Sequence, residues 1–488
     1  MTVKKRRAQI NGLVKTASEA ANLIREYIDD EKIIHVASHY DADGLAAAGV
    51  MGQCLVRLGG KFRVRIERWL DNNVLDRITA GEKNVLTIFT DFGSGDLNLL
   101  AERLPSRHAI ILDHHQPVGE APSSFIHINP HLHGIDGSRD LSGAGVAYLV
   151  AKALDKSNVD LACVATVGAL GDLQDKYEQR SLGGVNEKIV EDAVNSGLLK
   201  LEVDLLFFGR QTRPIHKALS RTTNPFIPGI SGEEDASYAF LVQRTGITPK
   251  KRDKWLALRD LSEEEKKSLF SSLAAHLASK GLPSDIALSL IGNVYTLASE
   301  EPWTPLRDAR EFAVLLNATG RMEKPGLGVA VCMGDRATAF EQANAVLNEY
   351  RLAITKCMNW LKEKPGRIKE LDSIYVVRGE NFIHENLIGT VSSILSTNLP
   401  KQEKPIIAYS IVPQEDLIKV SARAVNTLTK RGLDLGEILR IAAEKHSGKG
   451  GGHNVAAGAQ VPNKKIKAFV ELVDELVRKQ LEEKQRGG

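Results

Sequence analysis

Along the first 190 residues, short apolar runs alternate with stretches whose apolar positions recur at helical spacing. The runs are KIIHVAS (32 to 38), KFRVRIERW (61 to 69), NVLTIFTD (84 to 91), RHAIILDHH (107 to 115) and SFIHINP (124 to 130). Apolar runs this short, separated by helical patterns, predict strands of a parallel sheet joined by crossover helices. Three of them stop at acidic residues: the first just ahead of Asp41, the third at Asp91 and the fourth at Asp113. Ligands of open α/β sheets sit beyond the carboxyl ends of the strands, so these acids are expected to share one crevice. From about 190 to 310 the pattern turns mostly helical and charged, as in LSEEEKKSLFSSLAAHLASKG (261 to 281). After about 310 an α/β rhythm returns. It comprises FAVLLNATGRM, a long helix near 337 to 363, the strands SIYVVRG, KPIIAYSIV and DLIKVSARAV, a glycine cluster and a charged closing helix. The expectation is an α/β protein in three segments: 1–190, a helical connector 191–310, and 311–488.

Composition narrows the class. The 488 residues are 43% hydrophobic and 26% charged, with room for several cores and no apolar run long enough for a bilayer. KKRR (Lys4 to Arg7) leads into an amphipathic helix and not an apolar segment, so no secretory signal is read and a cytoplasmic location is expected. Cys54, Cys163, Cys332 and Cys357 lie far apart without metal-ligand spacing and are expected to be buried. A net charge of +3 does not announce nucleic acid, so local patches must carry that argument. The candidates are Lys61, Arg63 and Arg65, which share a strand face; Arg210, Arg213, Lys217 and Arg221; and Lys250, Lys251 and Arg252. Each can be a phosphate track or solvated surface. With 5% aromatic residues, base stacking is expected to be sparse and backbone contacts to dominate.

Four acidic clusters carry candidate chemistry: Asp41 and Asp43 in DADG, Asp91 in TDFGSGD, Asp113 with His114 and His115 in LDHHQP, and Asp172 in GALGDLQD. Each alone is compatible with a turn or a helix cap. Two neighbouring carboxylates resist ionising together, however, unless a cation joins them. Carboxylates with imidazole suit Mn²⁺ or Mg²⁺, and two ions roughly 3.5–4 Å apart can clamp a phosphate and neutralise a leaving oxygen. His39 admits two readings, a metal ligand or a hydrogen-bonded histidine at a strand end. GKGGGH (448 to 453) is either a flexible loop or a backbone able to approach phosphate, and it lacks the Lys-Ser/Thr pair of a P-loop. Ser421 and Arg423, two apart on a strand-like run, either contact phosphate from one face or are solvated.

Taken in order, DADG, TDFG, DHH and GALGD resemble the four motifs of the DHH phosphoesterase superfamily, and GKGGGH resembles its companion DHHA1 domain. With its length, connector and LLNATGR, the chain most resembles archaeal RecJ-like single-strand exonucleases, including those associated with the GINS replication complex. The resemblance implies a parallel-sheet DHH domain and a smaller α/β DHHA1 domain, with the active site in the cleft between them. Asp91 would bridge two divalent ions, Mn²⁺ or Mg²⁺, with Asp41 on one side and Asp43, His114 and Asp172 on the other. Asp113 would orient the neighbouring histidines, and His115 would touch the substrate phosphate. Gly450, Gly451, Gly452 and His453 would face the metals, with His453 gripping a phosphate. Some DHH relatives place a ligand histidine four residues before the first aspartate, where this chain has Ala37. The implied activity is hydrolysis of single-stranded DNA or RNA to mononucleotides in replication or repair, with a GINS-like complex as partner and no membrane. The alternatives are a phosphodiesterase for short oligoribonucleotides, cyclic dinucleotides or phosphoadenosine phosphate, and a replisome scaffold.

Overall fold

A computed structural model describes residues 3–486 apart from 80–83, 106, 223–224, 399–402 and 413–414. The chain divides into two compact units, Met1–Leu347 and Asn348–Gly488.

The first unit opens with α1 (Val3–Asp29), β1 (Ile33–His39), α2 (Ala42–Arg57), β2 (Lys61–Glu67), α3 (Asn72–Thr79), β3 (Leu86–Thr90), α4 (Leu97–Arg103), β4 (Ala109–Leu112) and β5 (Phe125–Ile128). The five strands form one parallel sheet in the order β2-β1-β3-β4-β5. Strands β3 and β4 are buried at every position, as expected where helices cover both faces, whereas the edge strand β2 exposes Lys61, Arg63 and Arg65. The chain leaves β1 to one side for β2 and to the other for β3, which makes the β1/β3 boundary the topological switch point. The register sets Ser38 beside Thr90, Thr90 beside Leu112 and Leu112 beside Ile128. The residues that follow these strands therefore emerge together.

Helices α5 (Gly143–Leu154) and α6 (Ala162–Gly171) pack against α2, and α7 (Gly184–Asn195) follows them. The small residues of α2 permit a close crossing. A Cβ on Gly168 would lie 2.5 Å from both Ala144 Cβ and Asp43 Oδ1. The connector opens with β6 (Leu199–Leu205) and runs through α8 (Ile215–Ser220), α9 (Glu234–Phe240), the two-residue strands β7 (Lys250–Lys251) and β8 (Lys254–Trp255), α10 (Glu263–Ser279) and α11 (Ser284–Leu288). It closes with β9 (Ile291–Leu297), which pairs antiparallel with β6. Helices make up less than half of it, so the connector is mixed and not mainly helical, and it packs around its own core, which includes Leu219, Leu258, Leu269 and Leu273. The β6–β9 pair was hidden in the charged pattern, where LKLEVDL alternates as a strand does. Helices α12 (Ala309–Arg321) and α13 (Pro325–Cys332) pack on α6 and α2 within this first unit.

The long helix α14 (Thr338–Glu363) carries the chain into the second unit. There β10 (Ile368–Glu370), β11 (Tyr375–Arg378), α15 (Glu385–Asn398), β12 (Ile406–Val412), β13 (Leu417–Arg423), α16 (Asn426–Lys430), α17 (Leu435–Lys445), β14 (Lys449–Gly452), β15 (Ala456–Pro462) and α18 (Ile466–Arg486) follow in order. The sheet order is β10-β11-β12-β13-β15-β14, with β11 and β12 parallel and the other pairs antiparallel. On one face Ile418, Val420 and Ala422 of β13 meet Leu439 of α17 and Phe469 of α18, while α15 covers the other face of β12 and β13. All four cysteines are buried, and burial pushes the thiols of Cys54, Cys163 and Cys332 up to about 12. Among the described residues, no helix is long and apolar enough to cross a membrane.

Candidate metal centre

Asp91 is the hub. Its amide still donates to Leu112 O (2.8 Å), continuing the ladder between β3 and β4. Its own φ of 61° then turns the chain sharply, a conformation that aspartate tolerates better than most residues. The buried carboxylate points two ways. Oδ2 lies 3.4 Å from His39 Nδ1, which is itself 3.1 Å from Asp41 Oδ2. Oδ1 lies 3.2 Å from His114 Nε2, which is 3.7 Å from Asp43 Oδ2. Three overlapping donor groups result, each drawn together within 4.8 Å: His39 with Asp41 and Asp91, Asp43 with His114 and Asp172, and Asp91 with Asp113, His114 and His115. Ala37 points instead into the apolar cluster with Phe89 and Leu75, so the imidazole beside Asp41 comes from His39.

Each member is held from outside. Asp41 caps α2, accepting from Gly44 N at 3.1 Å. Asp43 accepts from Gly143 N (2.6 Å) and Ala144 N (3.0 Å), the first amides of α5, where a helix N-terminus favours negative charge. Ser142, the cap of α5, aims those amides by accepting from Gly145 N. His114 Nδ1–H donates to Gly137 O at 2.7 Å, which leaves Nε2 as the nitrogen facing Asp91 and Asp43. Gln174 donates to Asp172 Oδ2 and to Gly137 O, both at 2.9 Å, and is held in turn by Asn186. Asp113 accepts from Ser94 N, His114 N and His115 N, and from His115 Nδ1–H at 2.8 Å. The Asp113 carboxylate thus fixes the ring of His115, while the ring of His114 is fixed by the carbonyl of Gly137. Ser94, Asn129, Gly137, Gln174 and the glycines 143 and 168 are parts of this centre that sequence reasoning missed. A Cβ on Gly143 would lie 2.7 Å from Asp91 Oδ1 and 2.9 Å from its Cα. The faint signal was LSGAG, a helix cap followed by small residues.

The electrostatics describe a site short of positive charge. Burial and the neighbouring Asp91 carboxylate hold the Asp43 carboxyl well above its ordinary range, and burial likewise lifts Asp172. Burial opposes a charge on His39, but Asp41 and Asp91 outweigh it and raise that imidazole well above its usual value. His114 is raised against burial in the same way by Asp172, Asp91 and Asp43. Asp41 and Asp113 resist the upward push of burial and lie well below the carboxylate range, held by the His39 and His115 imidazoles respectively. Both oxygens of Asp91 and His39 Nδ1 are buried without a hydrogen bond of acceptable geometry. Orphaned hard oxygen donors beside imidazole nitrogens fit a divalent cation.

The second unit holds the other candidates. Gly450, Gly451 and Gly452 form an edge strand paired with β15, not a flexible loop. A Cβ on Gly450 would lie 2.5 Å from Leu439 O, and Gly452 has φ 135°, whereas Gly451 is open. His453 is exposed and closes a tight turn, its amide donating to Ala456 O at 2.8 Å. Ser421 pairs with Gly458, which pairs with Gly451, so these positions share the α15 side of the sheet. Ser421 Oγ lies 3.0 Å from Ser392 Oγ, and Arg423 Nε donates to Ser393 Oγ at 2.9 Å.

Three family models match parts of the chain. Residues 33–171 match the DHH family N-terminal domain, 207–291 the DHH-CID domain and 374–479 the DHHA1 domain. An uncharacterized protein of Methanocaldococcus jannaschii is 32% identical over 455 residues, covering 92% of this chain and 94% of its own length. The single-stranded-DNA-specific exonuclease RecJ of Thermus thermophilus is 29% identical over 191 residues, 37% of this chain and 28% of that protein. Its crystal structure with Mn²⁺ matches 95% of this chain and 55% of that one with a TM-score of 0.58 at 20% identity, and it has also been crystallised with Mg²⁺. Cdc45 from Entamoeba histolytica matches 95% of this chain and 99% of its own with a TM-score of 0.63 at 12% identity. The chain therefore spans about a quarter of RecJ by sequence, about half by fold, and nearly all of the Methanocaldococcus relative. The chain belongs to the DHH family, as a RecJ-like member that carries a DHHA1 domain.

Proposed function

We propose that this protein is a metal-dependent phosphodiesterase that degrades single-stranded DNA or RNA to mononucleotides. The observation that carries the reading is Asp91, a buried carboxylate whose two oxygens lack a hydrogen bond and face opposite ways, one toward His39 and the other toward His114. His39, Asp41 and Asp91 would hold one Mn²⁺ or Mg²⁺, and Asp43, His114, Asp172 and Asp91 a second. When bound, such a pair lowers the pKa of water and stabilises charge on the phosphate oxygens. The chain's own residues do the rest. Gly137 and Gln174 keep the ligand nitrogen and oxygen of His114 and Asp172 facing inward. Asp113 keeps the proton of His115 on Nδ1, so that Nε2 of this half-exposed ring is turned toward substrate and can accept a proton from it or bind a phosphate oxygen when protonated. Gly450 to Gly452, His453, Ser421 and Arg423 are proposed as phosphate contacts of the DHHA1 domain, with 1–190 as the catalytic segment, 191–310 as the connector and 311–488 as the substrate-binding segment. RecJ of Thermus is named for single-stranded DNA, which supports that substrate class here. A GINS-like complex is proposed as partner, to be sought by pull-down.

The test is Mn²⁺-dependent degradation of long single strands labelled at the 5′ or the 3′ end, as DNA and as RNA, by wild type and Asp43→Ala. Release of mononucleotides from one end by wild type alone supports the reading and sets polarity and sugar preference. Survival of long strands while dinucleotides are cut would move the activity to short substrates.

A further inference from the structure

The connector gathers cations and indoles that the metal centre does not use. Strands β7 and β8 form a hairpin whose turn residues, Arg252 and Asp253, have φ of 44° and 65°. Its pairing sets Lys251 directly opposite Lys254, a like-charge arrangement that weakens a hairpin unless something negative meets it. Lys250 and Lys251 lie near Asp253 (3.0 Å) and Glu265 (3.7 Å) respectively, whereas Arg252 and Lys254 have no carboxylate partner among the described residues. On one face of the hairpin Lys254 Nζ lies 4.3 Å from the centre of the Trp303 ring, and the guanidinium carbon of Arg259 lies 3.5 Å from it. Trp303 holds these cations at φ 69°, a strained conformation for so bulky a residue and a mark of functional sites. Arg259 Nε is buried without a hydrogen bond, and its ion pair with Asp260 is long at 3.8 Å. Arg307 Nη1 donates to the carbonyls of Ala298 and Glu300, and the Arg307 charge acts with burial to lower the pKa of Arg259. On the other face Trp255 is 43% exposed, with Lys250 at 5.9 Å and the buried His216 ring at 4.8 Å.

We propose that this hairpin, with Arg259 and Trp303, is a second contact site for single-stranded nucleic acid, its cations meeting backbone phosphates and Trp255 offering a face to a base. This rests on the reading of the protein as a hydrolase of single strands. Phosphates would offset the charge of Lys254, which faces Lys251 without a carboxylate of its own, and of the weakly paired Arg259 guanidinium together, and one exposed indole suits sequence-tolerant stacking. Sparse aromatics across the chain do not prevent stacking here, because two of the four tryptophans are gathered at one hairpin.

The experiment is fluorescence anisotropy with a labelled single-stranded DNA of about 20 nucleotides in EDTA, so that nothing is cut, across a series of salt concentrations. The double variant Lys254→Gln with Arg259→Gln is expected to bind about 10-fold more weakly, with a salt slope shallower by about 1.4, as for two lost phosphate contacts. Equal affinity and slope in wild type and variant would overturn the site. Should the variant melt below wild type, Trp303→Phe and Trp255→Phe serve instead, since oligonucleotide quenching of tryptophan fluorescence should fall in one or both, and unchanged quenching in both overturns the site. Hydrolysis is scored separately on wild type with Mn²⁺. Cleavage with unchanged affinity in the variant sinks the hairpin site alone; no cleavage with weakened affinity sinks the hydrolase reading alone.

Discussion

The Asp91 centre and the Ser421/Arg423 face of the second sheet are both proposed to meet phosphate, yet they are built in opposite ways. Around Asp91, acids and imidazoles converge, the Asp91 oxygens and His39 Nδ1 lack a hydrogen bond, and the groups behind the other members lock that arrangement in place. On the second sheet, Arg423 already donates to Ser393 and to Ala422 O, and Ser421 already meets Ser392. The first arrangement stores a demand for positive charge that only a cation meets. The second exchanges one hydrogen bond for another when a ligand arrives, and so gains less from it.

The widest separation should come from Asp91→Asn. Losing the shared carboxylate should lower hydrolysis by on the order of 10³-fold, several kcal/mol of transition-state stabilisation. The same change should raise the melting temperature of metal-free protein, because it removes one of several crowded acids. Lower melting in EDTA would break the comparison. Gln174→Ala comes next: freeing Asp172 and the Gly137 carbonyl should weaken Mn²⁺ binding or activity by about 10–100-fold, as read from a titration.

A third prediction concerns pH. Folded His39 and His114 keep protons above about 6.5, where the unfolded chain releases them, and Asp43 and Asp172 keep theirs above about 3.9. The folded state binds more protons, so metal-free stability should fall as pH rises from about 6 through the raised pKa values. Asp41 and Asp113 act oppositely, and their contribution is lost only as pH falls below about 3.9. Mn²⁺ at about 100 times its Kd should restore about 2.7 kcal/mol. Thermal melts from pH 6 to 8, with and without Mn²⁺, check both signs. The smallest effect belongs to Arg423→Gln, expected to weaken substrate binding by less than about 10-fold while leaving the Mn²⁺-induced melting shift unchanged.

Much of this centre was legible because β3 and β4 are unbroken apolar runs and their acids stand at the ends. Asp41, Asp43, Asp91, His114 and Asp172 could be named from the chain, being short polar motifs beside apolar segments. Gly143, Gly168 and Gln174 could not, since their roles come from helices that meet only in three dimensions. Gly450 to Gly452 read as a loop because glycine has no side chain to show strand preference, and only pairing with β15 makes them a strand. The hairpin at 250–255 was hidden by its length, two residues a side, and by lysines that read as surface.

The most direct measurement is the number of Mn²⁺ ions bound by metal-free protein at equilibrium. Two ions per chain are expected in wild type and at most one in Asp91→Asn. One ion or none in wild type, or two retained without the Asp91 carboxylate, would contradict that expectation.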